Sequence, residues 1–172
     1  MIDNHKATSV CNILREELFE NGYLYGFFLN GNKIVPDMSK GVDEEFDRLL
    51  KTEYRIQSPA ITKREKVATC LDAVLVMKEI LCANCIDSKI WMIFQREKKK
   101  CHAVLTFVID GTVVYLELTP QSGKENYGEE LFFINQKAFI DYWKEMNYVV
   151  QEITDACIIG NKPDFFLQAL MK

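Results

Sequence analysis

The sequence predicts an α+β fold: helices in the front half, a central antiparallel sheet, and more helices after it. Three observations carry this. Lys89–Gln95 alternates with period two, and Cys101–Ile109 and Thr112–Leu118 are further apolar runs joined by Asp110-Gly111, a strong two-residue hairpin signal. Before them, apolar residues recur at helical spacing near 10–18, 42–50 and 70–82, and Asn135 opens another such pattern after them. Helices and strands grouped in blocks, not alternating, indicate α+β architecture.

Taken in order, Thr8 or Ser9 can cap a first helix with Val10, Ile13, Leu14 and Leu18 on one stripe, and Gly22 stops it. The apolar runs of YLYGFFLNGNKIV flank Asn30-Gly31, which suits a tight hairpin turn, while Gly26 interrupts the first run. Val42–Leu50 reads as a short helix with Phe46, Leu49 and Leu50 inward. The next stretch allows two readings. Thr62-Lys-Arg-Glu65 fits a capping box, which starts one long helix and puts Cys70 in its third turn. In the other, Ser58-Pro59 caps a short helix, the chain breaks near Val67, and Thr69 starts a second helix at Cys70. From Cys70 on, Cys70, Val74, Met77 and Leu81 form an apolar stripe ending near Cys82. Gly123–Gly128 is expected to be loop, and Leu131–Ile134 and Tyr148–Gln151 strand. The helix after Asn135 gathers Phe139, Tyr142, Trp143 and Met146, and Pro163 fits the first turn of a last helix with Phe166 and Leu170.

At 172 residues, with no repeat, linker or low-complexity tract, one domain over residues 1–172 is expected. A 48% hydrophobic and 27% charged composition is too apolar for disorder. The net charge of -4, with acids and bases mixed, argues against a nucleic-acid partner. The basic run Arg96–Lys100 is broken by Glu97 and reads as a solvated connection. No membrane span is expected, since Cys101–Ile109 is about half the length a bilayer helix needs. The first ten residues do not read as a secretory signal, so the six cysteines are expected as free thiols in the cytoplasm.

A two-residue turn pairs Ile109 with Thr112, and stepping outward puts Val104 opposite Glu117 and His102 opposite Thr119. His102 and Glu117 thus share a sheet face as diagonal neighbours; one residue more in the turn would separate them. A carboxylate beside an imidazole fixes its tautomer and lets the other ring nitrogen take a proton from a nucleophile. Such a pair also occurs as a plain sheet salt bridge. The only other histidine, His5, sits near a terminus expected to fray.

Cys101 points to the opposite sheet face from His102. Cys11 and Cys157 read as small core residues. Cys82 and Cys85 form a CxxC near a helix end, but no further ligands at zinc spacing accompany it, so neither a metal nor any other cofactor is expected. Cys70 is what elimination leaves. Were it to open a helix, that position would favour its thiolate.

The stretches IQSPAITKREKVATCLDAV, CHAVLTF and VVYLELTP resemble the transglutaminase-like, papain-related cysteine enzyme superfamily. The likeness is to small bacterial members with Gln-Ser-Pro before the cysteine and Glu in place of Asp, and it covers Gln57–Pro120. It implies a papain-like, transglutaminase-like fold in which the sheet packs on the helix that begins at or near Cys70. It also implies Cys70 as nucleophile, His102 as base, Glu117 as orienting acid and Gln57 as an oxyanion donor. The expected chemistry is cysteine-dependent acyl transfer through a thioester, as in a peptidase, amidase, deamidase or transglutaminase, on a peptide, protein, or small amide or thioester. Ala68 and Leu71 stand where the family usually has glycine and an aromatic residue. They are the basis of the alternative, a catalytically degenerate member that binds peptides or proteins.

Overall fold

A computed structural model of the chain describes residues 4–37, 39, 41–121 and 126–171. Helix α1 spans Asn4–Leu18, so it starts before the expected caps Thr8 and Ser9, and the backbone at His5 is helical where fraying was expected. Its buried stripe is Ala7, Cys11, Leu14 and Leu18, while Ile13, expected inward, is 42% exposed. The helix is rotated to bury the small residues Ala7 and Cys11, which allow close approach to the core.

Strands β1 (Leu24–Tyr25), β2 (Phe27–Leu29) and β3 (Asn32–Ile34) follow. β2 and β3 form the expected hairpin, with positive φ at both Asn30 (49°) and Gly31 (85°). Gly26 separates β1 from β2 at φ 150°, and a Cβ there would sit 2.1 Å from the Ile34 carbonyl oxygen. That close approach explains both the glycine and the interrupted strand. Helix α2 (Glu44–Thr52) is capped by Asp43, which accepts from the Phe46 N–H, and it buries Phe46.

Of the two readings around Cys70, the broken one is found. Ser58 caps α3 (Pro59–Glu65) with Pro59 in its first turn. Lys66 then takes the left-handed conformation, φ 53° and ψ 43°, which ends the helix. Val67–Ala68 (β4) pairs in parallel with β1 before α4 runs from Cys70 to Ala83. The capping box is Thr69–Asp72, not Thr62–Glu65. Burial decides this. Val67 and Ala68 are fully buried as a strand, and α4 is buried nearly all round, with Leu71, Ala73, Val74, Val76, Met77 and Leu81 at 3% exposure or less.

Five antiparallel strands form the main sheet: β5 (Ser88–Gln95), β6 (Lys100–Ile109), β7 (Thr112–Leu116), β8 (Glu130–Phe133) and β9 (Val149–Glu152), in the order β8-β7-β6-β5-β9. Residues 96–99 form the turn between β5 and β6. Asn135 caps α5 (Gln136–Glu145) as expected. Pro163 directly precedes α6 (Asp164–Met171); the Leu170 side chain assigned to its apolar face lies outside the described residues, as do residues 123–125 of the expected loop.

Strand alternation divides the interior into two cores. Ile90, Met92, Phe94, Ala103, Leu105 and Phe107 face α4, and the same core takes in α1 and Phe27. Trp91, Ile93, Val104, Val113 and Tyr115 face Phe139 and Trp143 of α5. Each fully buried Leu, Phe or Met contributes about 1.5–3 kcal/mol, so the sheet is fixed from both sides. The fold is mixed α and β with an antiparallel sheet packed on the helix that begins at Cys70. Among the described residues, no helix is long and apolar enough to cross a membrane.

Candidate active site

Cys70 is the first residue of α4, held there by the break at 66–69. Its side chain is buried to 8% exposure at the wall of a cleft of about 200 Å³. Tyr25, Leu50, Tyr54 and Phe166 supply much of the apolar lining, and Cys101 lines the same cleft. First-turn N–H groups of a helix lack intrahelical acceptors and favour a nearby anion. Burial, and then the charge of Cys70 ahead of those of Asp47 and Asp72, pushes the Tyr25 phenol upward.

Behind Cys70 lies a polar knot centred on Asp72, which is wholly buried. Its Oδ1 accepts from the Tyr54 hydroxyl (2.8 Å) and the Gln57 backbone N–H (2.9 Å). Its Oδ2 accepts from the Thr69 N–H (3.1 Å), the Thr69 hydroxyl (2.8 Å) and the Gln57 side-chain amide (3.1 Å). Burial pushes the Asp72 carboxyl up, opposed by these hydrogen bonds. Gln57 therefore ties α4 to the β2 strand: its amide nitrogen donates to Asp72, while its Oε1 accepts from the Phe28 N–H at 2.6 Å. Gln57 lines a different cavity from the one that contains Cys70, between Phe28 and Ile61. The knot itself was missed in the sequence, although Thr69-x-x-Asp72 is the capping-box pattern that signals it.

On the hairpin, the register is the one the two-residue turn implies. Ile109 pairs with Thr112 and Thr106 with Tyr115, around Asp110 (φ 49°) and Gly111 (φ 82°). β7 ends at Leu116 and not at Leu118, because Glu117 bends back: its Oε1 accepts from the Thr119 N–H at 2.8 Å. Glu117 Oε2 lies 2.6 Å from His102 Nε2 and accepts from the Tyr115 hydroxyl at 3.0 Å. His102 and Glu117 are both buried. Burial alone would push the Glu117 carboxyl up; the His102 charge, with hydrogen bonds from His102 and Thr119, instead holds it at about 2. An ionised carboxylate at neutral pH keeps a proton on Nε2, so the second ring nitrogen, Nδ1, carries the basic lone pair. Tyr115 was not singled out in the sequence, although its place two residues before Glu117 puts it on the same face.

The two halves meet at the start of β6. Register sets Cys101 opposite Phe94, on the α4 side, and His102 opposite Ile93, on the α5 side. His102 is thus brought to Glu117, and Gln57 to Asp72, two residues past Cys70. The β6 side chain that lines the Cys70 cleft is Cys101. Cys11 is fully buried, and its thiol is raised chiefly by that burial. Cys157 is pushed up to about 12 by burial and then by the charge of Cys70. Cys82 and Cys85 are exposed. Among the described residues, no group of three or more His, Cys, Asp or Glu side chains could hold a metal ion. In comparisons with known proteins, no family model and no curated relative matches the chain.

Proposed function

We propose that the protein is a cysteine-dependent acyl-transfer enzyme of transglutaminase-like, papain-related type. Cys70 is the nucleophile, His102 the base and Glu117 the residue that orients it. One observation carries the reading: a buried imidazole, fixed by an ionised carboxylate through Nε2, sits one residue along β6 from the wall of a cleft containing a thiol at a helix start. In the reaction, the Cys70 thiolate attacks an amide or thioester carbonyl and the bond to the amine or thiol breaks. The leaving group takes a proton from the imidazolium. Water or an amine then attacks the acyl-enzyme and frees the thiol. The first-turn N–H groups of α4 are the source of oxyanion stabilisation in this reading, with Gln57, which lines a different cavity, supporting the corner through Asp72. Activation of the nucleophile moves the Cys70 thiol proton to His102 Nδ1, the ring nitrogen that Glu117 leaves basic.

A binding module of the same fold is the second reading, favoured by Ala68 and Leu71 standing at the approach to Cys70 and by the apolar lining of the cleft. Alkylation with iodoacetamide across pH, read by peptide mass mapping, separates the two. The enzyme reading expects Cys70 to react at least about tenfold faster than exposed Cys82 and Cys85 near neutral pH, and His102→Ala to remove that advantage. A Cys70 no faster than Cys82, unchanged by His102→Ala, supports the binding module instead.

A further inference from the structure

The Cys70 cleft has a charge character opposite to that of the whole chain. The protein carries a net charge of -4. Yet Lys51, Lys99 and Lys162, from three distant parts of the sequence, converge on this one cleft, with Asp164 the single acid lining it among the described residues. Lys51 is in the last turn of α2, Lys99 takes a left-handed conformation in the β5–β6 turn, and Lys162 leads into α6. All three are exposed, and among the described residues none is joined to a carboxylate in an ion pair, whereas Lys63, Lys66, Lys89 and Lys137 all are. Below the rim the walls are apolar or aromatic, from Tyr25, Leu50, Leu71, Pro163 and Phe166. At about 200 Å³ the cleft is smaller than the roughly 300–1,000 Å³ of a typical drug-sized ligand site. It suits a short acyl group with the rest of the substrate outside, at the level of the lysines.

We infer that the substrate of Cys70 is an anionic acyl compound: a short apolar acyl portion enters the cleft, and an oxyanion group, carboxylate or phosphate, is held at the rim by Lys51, Lys99 and Lys162. This rests on the acyl-transfer reading and deepens it. The bond made is the Cys70 Sγ–acyl carbon bond, and the bond broken is that to the leaving oxygen, nitrogen or sulfur, which departs with one proton. Water then cleaves the thioester, returning the thiol and a carboxylic acid. No oxidant or reductant enters. Two sources of the anion fit: an acid group on the acyl chain, or a phosphate on the leaving thiol.

Paired substrates distinguish them. The 4-nitrophenyl esters of glutarate and of pentanoate differ in charge on the acyl side. Butanoyl thioesters of phosphopantetheine and of N-acetylcysteamine differ in charge on the leaving side. At least one anionic member is expected to exceed its neutral partner by about tenfold in kcat/KM, the size of one charge-assisted contact. That lead should shrink to near unity in the triple variant Lys51→Gln/Lys99→Gln/Lys162→Gln and fall with added salt, while turnover of the neutral members is unchanged. The pair that shows the lead identifies the source. Equal rates within both pairs overturn the inference while leaving the enzyme reading intact. If no pair is turned over, the acyl-transfer reading fails instead, and calorimetry decides the rim site. Binding of glutarate or phosphopantetheine to the wild type, lost in the triple variant, upholds it; no binding of either overturns it.

Discussion

The two structures that meet at the start of β6 are built on different principles. The hairpin that pairs His102 with Glu117 depends on local geometry: a two-residue turn, period-two alternation, and one side chain folding back on the Thr119 N–H. The corner that holds Cys70 depends on distant contacts: Lys66 in a left-handed conformation, a two-residue parallel strand against β1, and an Asp72 carboxylate gathering donors from residues 54, 57 and 69. The register of a hairpin of the first kind is set by its own sequence. The second kind exists only once the surrounding core has assembled, so the corner is the more fragile half, and its damage should spread.

Asp72→Ala should produce the largest effect. It strands the buried Gln57 and Thr69 N–H groups and the Gln57 amide, and leaves the Tyr54 hydroxyl with Thr69 Oγ1 alone. A loss of about 3–5 kcal/mol is expected, the range for removing one partner from a buried charged network. Urea unfolding measures it. If Asp72→Ala does not fold, Asp72→Asn should fold with a smaller deficit. A loss under about 1 kcal/mol for Asp72→Ala would mean that the corner does not depend on this carboxylate.

Glu117→Gln should cost less, about 1–3 kcal/mol at neutral pH, as for one buried charge-assisted hydrogen bond, with loss of the acyl-transfer activity proposed for the protein. Its pH dependence has a definite sign. The folded carboxyl is held at about 2 against an ordinary 4.5. The stabilisation is therefore complete above pH 4.5 and disappears as pH falls toward 2. Denaturant unfolding of wild type and Glu117→Gln from pH 7 to 2.5 should give curves that converge on acidification. A gap that is constant with pH would show that the pair is held by packing and not by charge.

How much was legible in the sequence follows the same division. Ile109 pairing with Thr112, and therefore His102 lying near Glu117, follows from the two-residue Asp110-Gly111 turn and the two-residue period of the strands. The split of β5 into Ile90, Met92 and Phe94 against Trp91 and Ile93 came from alternation. The break before Cys70 could not be decided locally, since Thr62–Glu65 and Thr69–Asp72 are both capping patterns. What selects the second is the burial of Val67 and Ala68 beside β1, a contact more than forty residues away in sequence. The orientation of α1 was misjudged for a related reason. Ile13 is more apolar than Ala7, but only tertiary packing shows that the core needs the smaller residue on that side. Resemblance places Gln57 near the reacting carbonyl, whereas its side chain hydrogen-bonds Asp72 and the Phe28 N–H, contacts that depend on how α4 meets β2.

The most direct test of the central proposal, that Cys70 is an acylating nucleophile served by the His102–Glu117 pair, is to trap the intermediate. The protein is mixed with a 4-nitrophenyl ester, quenched in acid within seconds, and read by intact and peptide mass spectrometry. One acyl group per chain is expected, confined to the peptide containing Cys70, abolished by Cys70→Ala and slowed at least about hundredfold by His102→Ala, the range for losing a general base. Acyl groups spread over several cysteines, or formed on Cys70 at the same rate without His102, would contradict it.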